Sequence, residues 1–147
     1  MTAKVNVNRP KVAALAVVIR DNHVLLVRRK NPPDAGLWGY PGGHVDLGET
    51  GLDAAARELQ EETGVIATPV AYLTNLDIIT HTPDGAVAFH FLLAAVLCDY
   101  QSGEPQAMDD ALDAGWISFD DVRAQKIQLS QRVDHVLSLA QAYQARR

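Results

Sequence analysis

Glu58, Glu61 and Glu62 are three carboxylates spaced three and four positions apart in the stretch GHVDLGETGLDAAARELQEETGV, residues 43–65. On a helix, residues at those spacings are neighbours, so Glu58 meets both of the others and the three crowd into one patch. Like charges so placed destabilise a bare helix by a few tenths of a kcal/mol per pair, about 0.2–0.5. A hard divalent cation, which prefers carboxylate oxygens, turns that repulsion into coordination. The plainer reading of RELQEE is a solvated face with Arg57 paired to Glu61 at i,i+4. The flanking residues argue against leaving it there. Leu52, Ala55, Ala56 and Leu59 make a narrow apolar stripe, Thr50 and Asp53 form a capping pair, and Gly64 suits a left-handed helix end. The acidic face belongs to a helix fixed at both ends.

The rest of the chain has to position that helix. Val12 to Ile19 is a valine-rich apolar run that reads as a buried strand, and Asp21-Asn22 turns it into a second strand, His23 to Val27. This hairpin ends in the basic trio Arg28-Arg29-Lys30. Strand alternation sends Arg28 and Arg29 to opposite faces, which leaves one of them for substrate phosphates. A loop with Pro32-Pro33, barred from regular ladder pairing, leads to Trp38-Gly39-Tyr40-Pro41-Gly42-Gly43, where paired glycines allow close backbone approach to a ligand or metal. Beyond the helix, about Val70 to Thr80 and Ala86 to Tyr100 read as a second hairpin around Thr82-Pro83-Asp84-Gly85. Gln101 to Asp113 is a polar, acidic loop before the short strand Gly115-Trp116-Ile117-Ser118. Val133, Val136, Leu137, Ala140 and Tyr143 mark a closing helix, with Ser130 placed to cap its start and Arg146-Arg147 at its negative end. Trp38, Tyr40, Phe89 and Phe91 supply faces on which a base could stack. His44 and His90 could contact phosphate or move a proton. Alternating strands and helices with two hairpins imply an α/β fold, a mixed sheet between helices.

At 147 residues and 48% hydrophobic content the chain suits one soluble domain, 1–147, with a short N-terminal tail over about 1–10. No apolar run reaches the roughly 20 residues needed to span a bilayer. The start MTAKVNVNRPK holds no apolar signal segment, so a cytoplasmic location and no membrane partner are expected. The single cysteine, Cys98, sits in FLLAAVLCDY and reads as a core residue. A net charge of −5 gives no drive toward polymeric nucleic acid, yet is compatible with a small phosphorylated substrate bridged by metal. Nothing in the sequence sets the oligomeric state, and a homodimer remains open.

Residues 43–65 resemble the Nudix box, G-x5-E-x7-R-E-U-x-E-E-x-G-U with U aliphatic. Gly43, Glu49, Arg57, Glu58, Leu59, Glu61, Glu62, Gly64 and Val65 fill every defined position. The resemblance implies a Nudix-type α/β/α sandwich and a metal-dependent pyrophosphohydrolase. It places magnesium or manganese on Glu58, Glu61 and Glu62, with the Gly42 carbonyl able to reach the same ion and one glutamate available as base. It gives Glu49 and Arg57 the bracing of loop against helix, and it makes Asp109-Asp110 candidates for a further carboxylate outside the box.

VLLVRRKNPPDAGLWGYPGGHVDLGE, FHFLLAAVL and DDALDAGWIS are similar to small bacterial ADP-ribose pyrophosphatase-like Nudix proteins. This implies a nucleoside diphosphate linked to a moiety X as substrate, with ADP-ribose split to AMP and ribose 5-phosphate as the leading case. Within the family the alternative is a nucleoside triphosphate pyrophosphatase that sanitises the nucleotide pool. A non-catalytic nucleotide-sensing Nudix module is a third reading, disfavoured because every box carboxylate is present and no basic helix-turn-helix segment is visible. An RNA cap-removing enzyme fits poorly with the acidic balance.

Overall fold

The computed structural model describes residues 9–147, so the expected tail over about 1–10 lies almost wholly outside the described residues. Strand β1 (Lys11–Arg20) and strand β2 (His23–Arg29) are joined at Asp21 and Asn22, whose φ values of 50° and 61° make the left-handed pair that tight hairpins favour. The two strands pair only next to that turn, Ile19 with Val24 and Arg20 with His23, and then part. From Lys11 to Val18, β1 runs parallel to Phe91–Cys98 of β6 (Val87–Ser102), while β2 pairs antiparallel with β7 (Ala111–Ser118). Two short strands flank the parting, β3 (Trp38–Gly39) on β2 and β4 (Gly42–His44) on β1. Strand β5 (Ile66–His81) closes the edge against β6. The sheet order is β3-β2-β1-β6-β5, with β4 on β1 and β7 on β2.

The apolar runs of β1, β2 and β6 follow from burial on both sides of the sheet. One face gives Val17, Val24, Leu26, Ala95 and Leu97 to a core completed by Val122 of α2 (Phe119–Arg123) and by Val133, Val136, Leu137 and Ala140 of α3 (Val133–Ala145). The other face gives Ala14, Ala16, Val18, Leu25, Val96 and Cys98 to a core under α1 (Gly51–Thr63). This is the expected mixed sheet between helices, and Cys98 is buried in it.

Several sequence expectations are corrected. The second hairpin is longer than 70–100, since β5 starts at Ile66 and β6 runs to Ser102. The acidic loop shrinks accordingly, because β7 begins at Ala111 and continues the ladder along β2. Ser130 does not cap α3. Its neighbours are laced to β3 by Trp38 N–H to Gln128 O and Ser130 N–H to Trp38 O, each 2.8 Å, so the helix cannot begin until Arg132. Arg132 holds the N-cap position with φ 72° and no side-chain cap, and the Ser130 hydroxyl is buried with no partner. At the far end Arg147 forks onto Asp99 at 2.7 and 2.9 Å, and Arg146 lies over the Tyr143 ring. The stripe under α1 is Ala54, Ala55, Leu59 and Thr63, with Leu52 and Ala56 only half-buried.

Candidate active site

Both ends of α1 are fixed as the sequence implied. The Thr50 hydroxyl accepts from the Asp53 N–H at 3.0 Å, and Gly64 is left-handed at φ 76° with its N–H on Gln60 O. Two further carbonyls at that end are taken by the following loop, Gln106 N–H to Thr63 O at 3.0 Å and Met108 N–H to Glu62 O at 2.9 Å. The helix carrying the carboxylates therefore has little freedom to fray.

Glu58 and Glu62, one turn apart, both press against β4. The Gly42 N–H donates to Glu62 Oε1 at 2.8 Å, and a Cβ at Gly43 would stand 2.2 Å from Glu58 Oε2. A Cβ at Gly42 would likewise meet Ala14 O at 2.2 Å, backbone that cannot yield, so Gly42 tolerates no side chain, whereas one at Gly43 would displace the Glu58 carboxyl. Burial is the first reason that the Glu62 carboxyl is lifted to about 7, followed by the charges of Glu58 and Asp109, while the Gly42 N–H and Arg29 pull it back. Glu58 is also raised, by burial first and by the charge of Glu61 second, against the opposing pull of Arg57.

Glu61 is exposed, its two oxygens 2.9 and 3.2 Å from the same Arg57 Nη1 that lies 3.1 Å from Glu58 Oε1. The expected patch of three carboxylates is thus a half-buried pair, Glu58 and Glu62, with the exposed Glu61 joined to Glu58 through Arg57. Among the described residues, no three acidic, histidine or cysteine groups converge closely enough to hold a metal ion. The donor set nevertheless fits one in kind, since Glu58 and Glu62 are hard oxygen ligands one turn apart whose burial and neighbouring charge disfavour ionisation without a cation.

Arg57 joins the box to the loop. Its Nε and Nη2 grip Glu49 at 2.8 and 3.0 Å in the bidentate fork expected of a brace, and Nη2 also reaches His44 O at 3.0 Å. That hold pulls the Glu49 carboxyl below its usual range, chiefly through the Arg57 hydrogen bond.

Glu58 and Glu62 line one wall of a cleft of about 330 Å³, a size suited to a small molecule. Leu15, Leu76, Ile78, Phe91 and Leu93 give it an apolar floor. Arg28, Arg29 and Lys30 line the basic side. A bulge between Arg28 and Arg29 upsets the simple alternation, and both residues line the cleft. Arg29 is half-buried, with Nε on Pro33 O at 2.8 Å and its charge felt at Glu62. Arg28 is exposed, with Nε on Gly36 O at 3.0 Å. Asp109, at φ 55°, and Asp110 line the cleft too, and Asp109 raises both Glu58 and Glu62.

Two expected base contacts are misplaced. Trp38 packs into the α3-side core and does not line the cleft. Phe89 stands behind Phe91, ring centroids 6.5 Å apart, and it is Phe91 that lines the cleft, near the His44 ring at 6.1 Å. Tyr40 also lines it, but its hydroxyl is bound to Val133 O at 2.7 Å. The sequence reading missed Arg132, Gln131 and the aliphatic floor. Period-2 parity along β6 places Leu93 with Phe91 and could have revealed the floor, whereas the loop residues carry no such signal.

Half-buried carboxylates against a glycine pair, a basic side and a braced acidic helix meet in one cleft, the candidate active site. The family model described as the NUDIX domain matches residues 9–139, and the chain belongs to the Nudix family. It is similar to an ADP-ribose pyrophosphatase of Methanocaldococcus jannaschii, 37% identical over 71% of this chain and 60% of that protein. The chain therefore spans well under two thirds of that curated relative's length. The crystal structure of a MutT Nudix hydrolase from Burkholderia pseudomallei matches 89% of this chain and 98% of its own, at 30% identity and TM-score 0.76. A bifunctional NMN adenylyltransferase/ADP-ribose pyrophosphatase from Francisella tularensis, complexed with AMP and a Mn ion, matches 92% of this chain and 42% of its own, at 26% identity and TM-score 0.71.

Proposed function

We propose that the chain acts as a single Nudix domain that hydrolyses a diphosphate linkage in a nucleoside diphosphate joined to another moiety, with ADP-ribose cleaved to AMP and ribose 5-phosphate. The observation that carries this reading is the meeting of Glu58, Glu62, Asp109 and Arg29 in one small cleft with an aliphatic floor. Glu58, Glu61, Glu62 and the Gly42 carbonyl would hold magnesium or manganese, which supplies charge neutralisation and a water acidified toward hydroxide. Arg29 and Lys30 offset the diphosphate charge, and Arg28 adds to the same side from solvent. Glu49 and Arg57 hold the helix against the loop. The base lies on Leu15, Leu93 and Phe91. A carboxylate of the Glu58, Glu62 and Asp109 group accepts the proton of the attacking water. The similarity to proteins named for ADP-ribose and solved with AMP and manganese supports the choice of substrate and ion.

A substrate panel with magnesium tests this directly. ADP-ribose turnover is expected, falling by about 10²-fold or more in Glu61→Gln and Glu62→Gln with the fold intact. Near-normal turnover in both variants overturns the assignment. Turnover of 8-oxo-dGTP with none of ADP-ribose replaces it with the triphosphate pyrophosphatase reading.

A further inference from the structure

Arg57 divides its donors between two unlike sets of partners. Nε and Nη2 face the half-buried side, on both oxygens of Glu49 and on His44 O. Nη1 faces the acidic side, 3.1 Å from Glu58 Oε1 and 2.9 and 3.2 Å from the two oxygens of Glu61. Glu49 and Glu58 are only 17% and 16% exposed, whereas Glu61 is 45% exposed, so solvent competes for the Glu61 contact far more than for the other two. Glu58 lies between the glycine pair and Arg57, Glu62 lies on the Gly42 N–H and Glu61 on Arg57, and among the described residues the three do not converge on one point. Glu58 and Glu61 share that one nitrogen, so a cation that takes both carboxylates competes with Nη1 for the same oxygens. A guanidinium has five fixed N–H donors, and losing those of Nη1 leaves its grip on Glu49 intact.

We propose that Arg57 is a resident counter-cation, a positioning residue whose Nη1 releases Glu58 and Glu61 when a divalent ion loads while its Nε and Nη2 stay on Glu49 and His44. The proposal rests on the reading of these glutamates as metal ligands. One guanidinium then does two jobs in turn. It neutralises the acidic face of α1 in the metal-free chain, and it braces the loop in the loaded one. Metal loading is an exchange of cations on a helix already in place.

The test is a magnesium titration of the intact chain with nitrogen-15 arginine, read by the amides of Gly42 and Gly43 and by the side-chain signals of Arg57. In the metal-free chain the terminal NH₂ groups of Arg57 are expected to rotate slowly, pinned on both sides. At saturation the Nη1 group should be freed while the Nε signal keeps its hydrogen-bonded shift. Amide shifts at Gly42 and Gly43 with Nη1 still pinned overturn the exchange and leave the hydrolase reading standing. Release of Nε together with Nη1 overturns the division of donors. No amide shift at any magnesium concentration removes the metal platform, and this inference falls with it. Because no turnover is measured, a chain that shows the exchange but cleaves no nucleotide would keep this inference and lose the proposed function.

Discussion

Metal binding by this chain should release a proton, with a pH profile set by Glu62. Its carboxyl, pressed between α1 and the Gly42 N–H, is raised from an ordinary 4.5 to about 7, with burial the largest cause. A carboxylate must be deprotonated to bind a cation, so the proton leaves as the ion enters. With a value of about 7 the group is about 90% protonated at pH 6 and about 10% protonated at pH 8. Calorimetric titration with magnesium in buffers of different ionisation enthalpy should therefore report about 0.9 protons released at pH 6, about 0.5 at pH 7 and about 0.1 at pH 8. Apparent affinity should rise about tenfold from pH 6 to pH 8, and Glu62→Gln should remove both effects. The same displacement governs the metal-free fold. The folded value lies above the unfolded one, so this contribution to stability is fully present below about 4.5 and is lost as pH rises toward about 7. The loss amounts to at most about 3 kcal/mol. A proton release below about 0.2 at pH 6, with affinity flat across the range, would refute the reasoning.

Three further expectations concern the scaffold. Gly43→Ala drives a methyl into Glu58 Oε2, 2.2 Å from the ideal Cβ, turning that flexible side chain aside, and should lower turnover by about 10²-fold while changing stability in urea denaturation by about 1 kcal/mol or less. Leu59→Ala empties the centre of the α1-side core, where Leu59 is fully buried, and should destabilise the fold by about 2–5 kcal/mol in the same measurement. Thr50→Ala removes the oxygen that caps the Asp53 N–H, with an expected loss of about 1 kcal/mol and no change in magnesium-dependent proton release.

Local patterns made α1 legible in the sequence because both its caps and its charged residues act within a turn or two of one another. Thr50, Gly64 and the Arg57–Glu49 fork all stand where residue type and spacing put them. Pairings between distant segments carry no local signature. The run KVAALAVVIR announces burial on two sides, but nothing in it says that its long partner is β6 in parallel and not β2. Ser130 has the right type for a helix cap and fails because Trp38 claims the backbone around it. Trp38 itself is drawn into the core by the same lacing. In the cleft, the glutamates and the Arg57–Glu61 pair could be named in advance from spacing, whereas the hold of the Gly42 N–H on Glu62 joins distant segments and could not.

The loop between β6 and β7 donates Gln106 and Met108 N–H groups to the last turn of α1 and then, in the next residue, puts Asp109 at the cleft. The two are in effect one inheritable part. Any graft meant to alter what the cleft accepts must carry 103–110 together with 51–64, or it will unseat the helix it hopes to keep. The opposite rim, 31–37, is fastened to β2 by the Arg28 and Arg29 side chains and by backbone bonds of Arg29. Among the described residues that rim makes no such backbone bond to α1, and loops can be traded there without unseating the helix, provided the Pro33 carbonyl that holds Arg29 near Glu62 is kept.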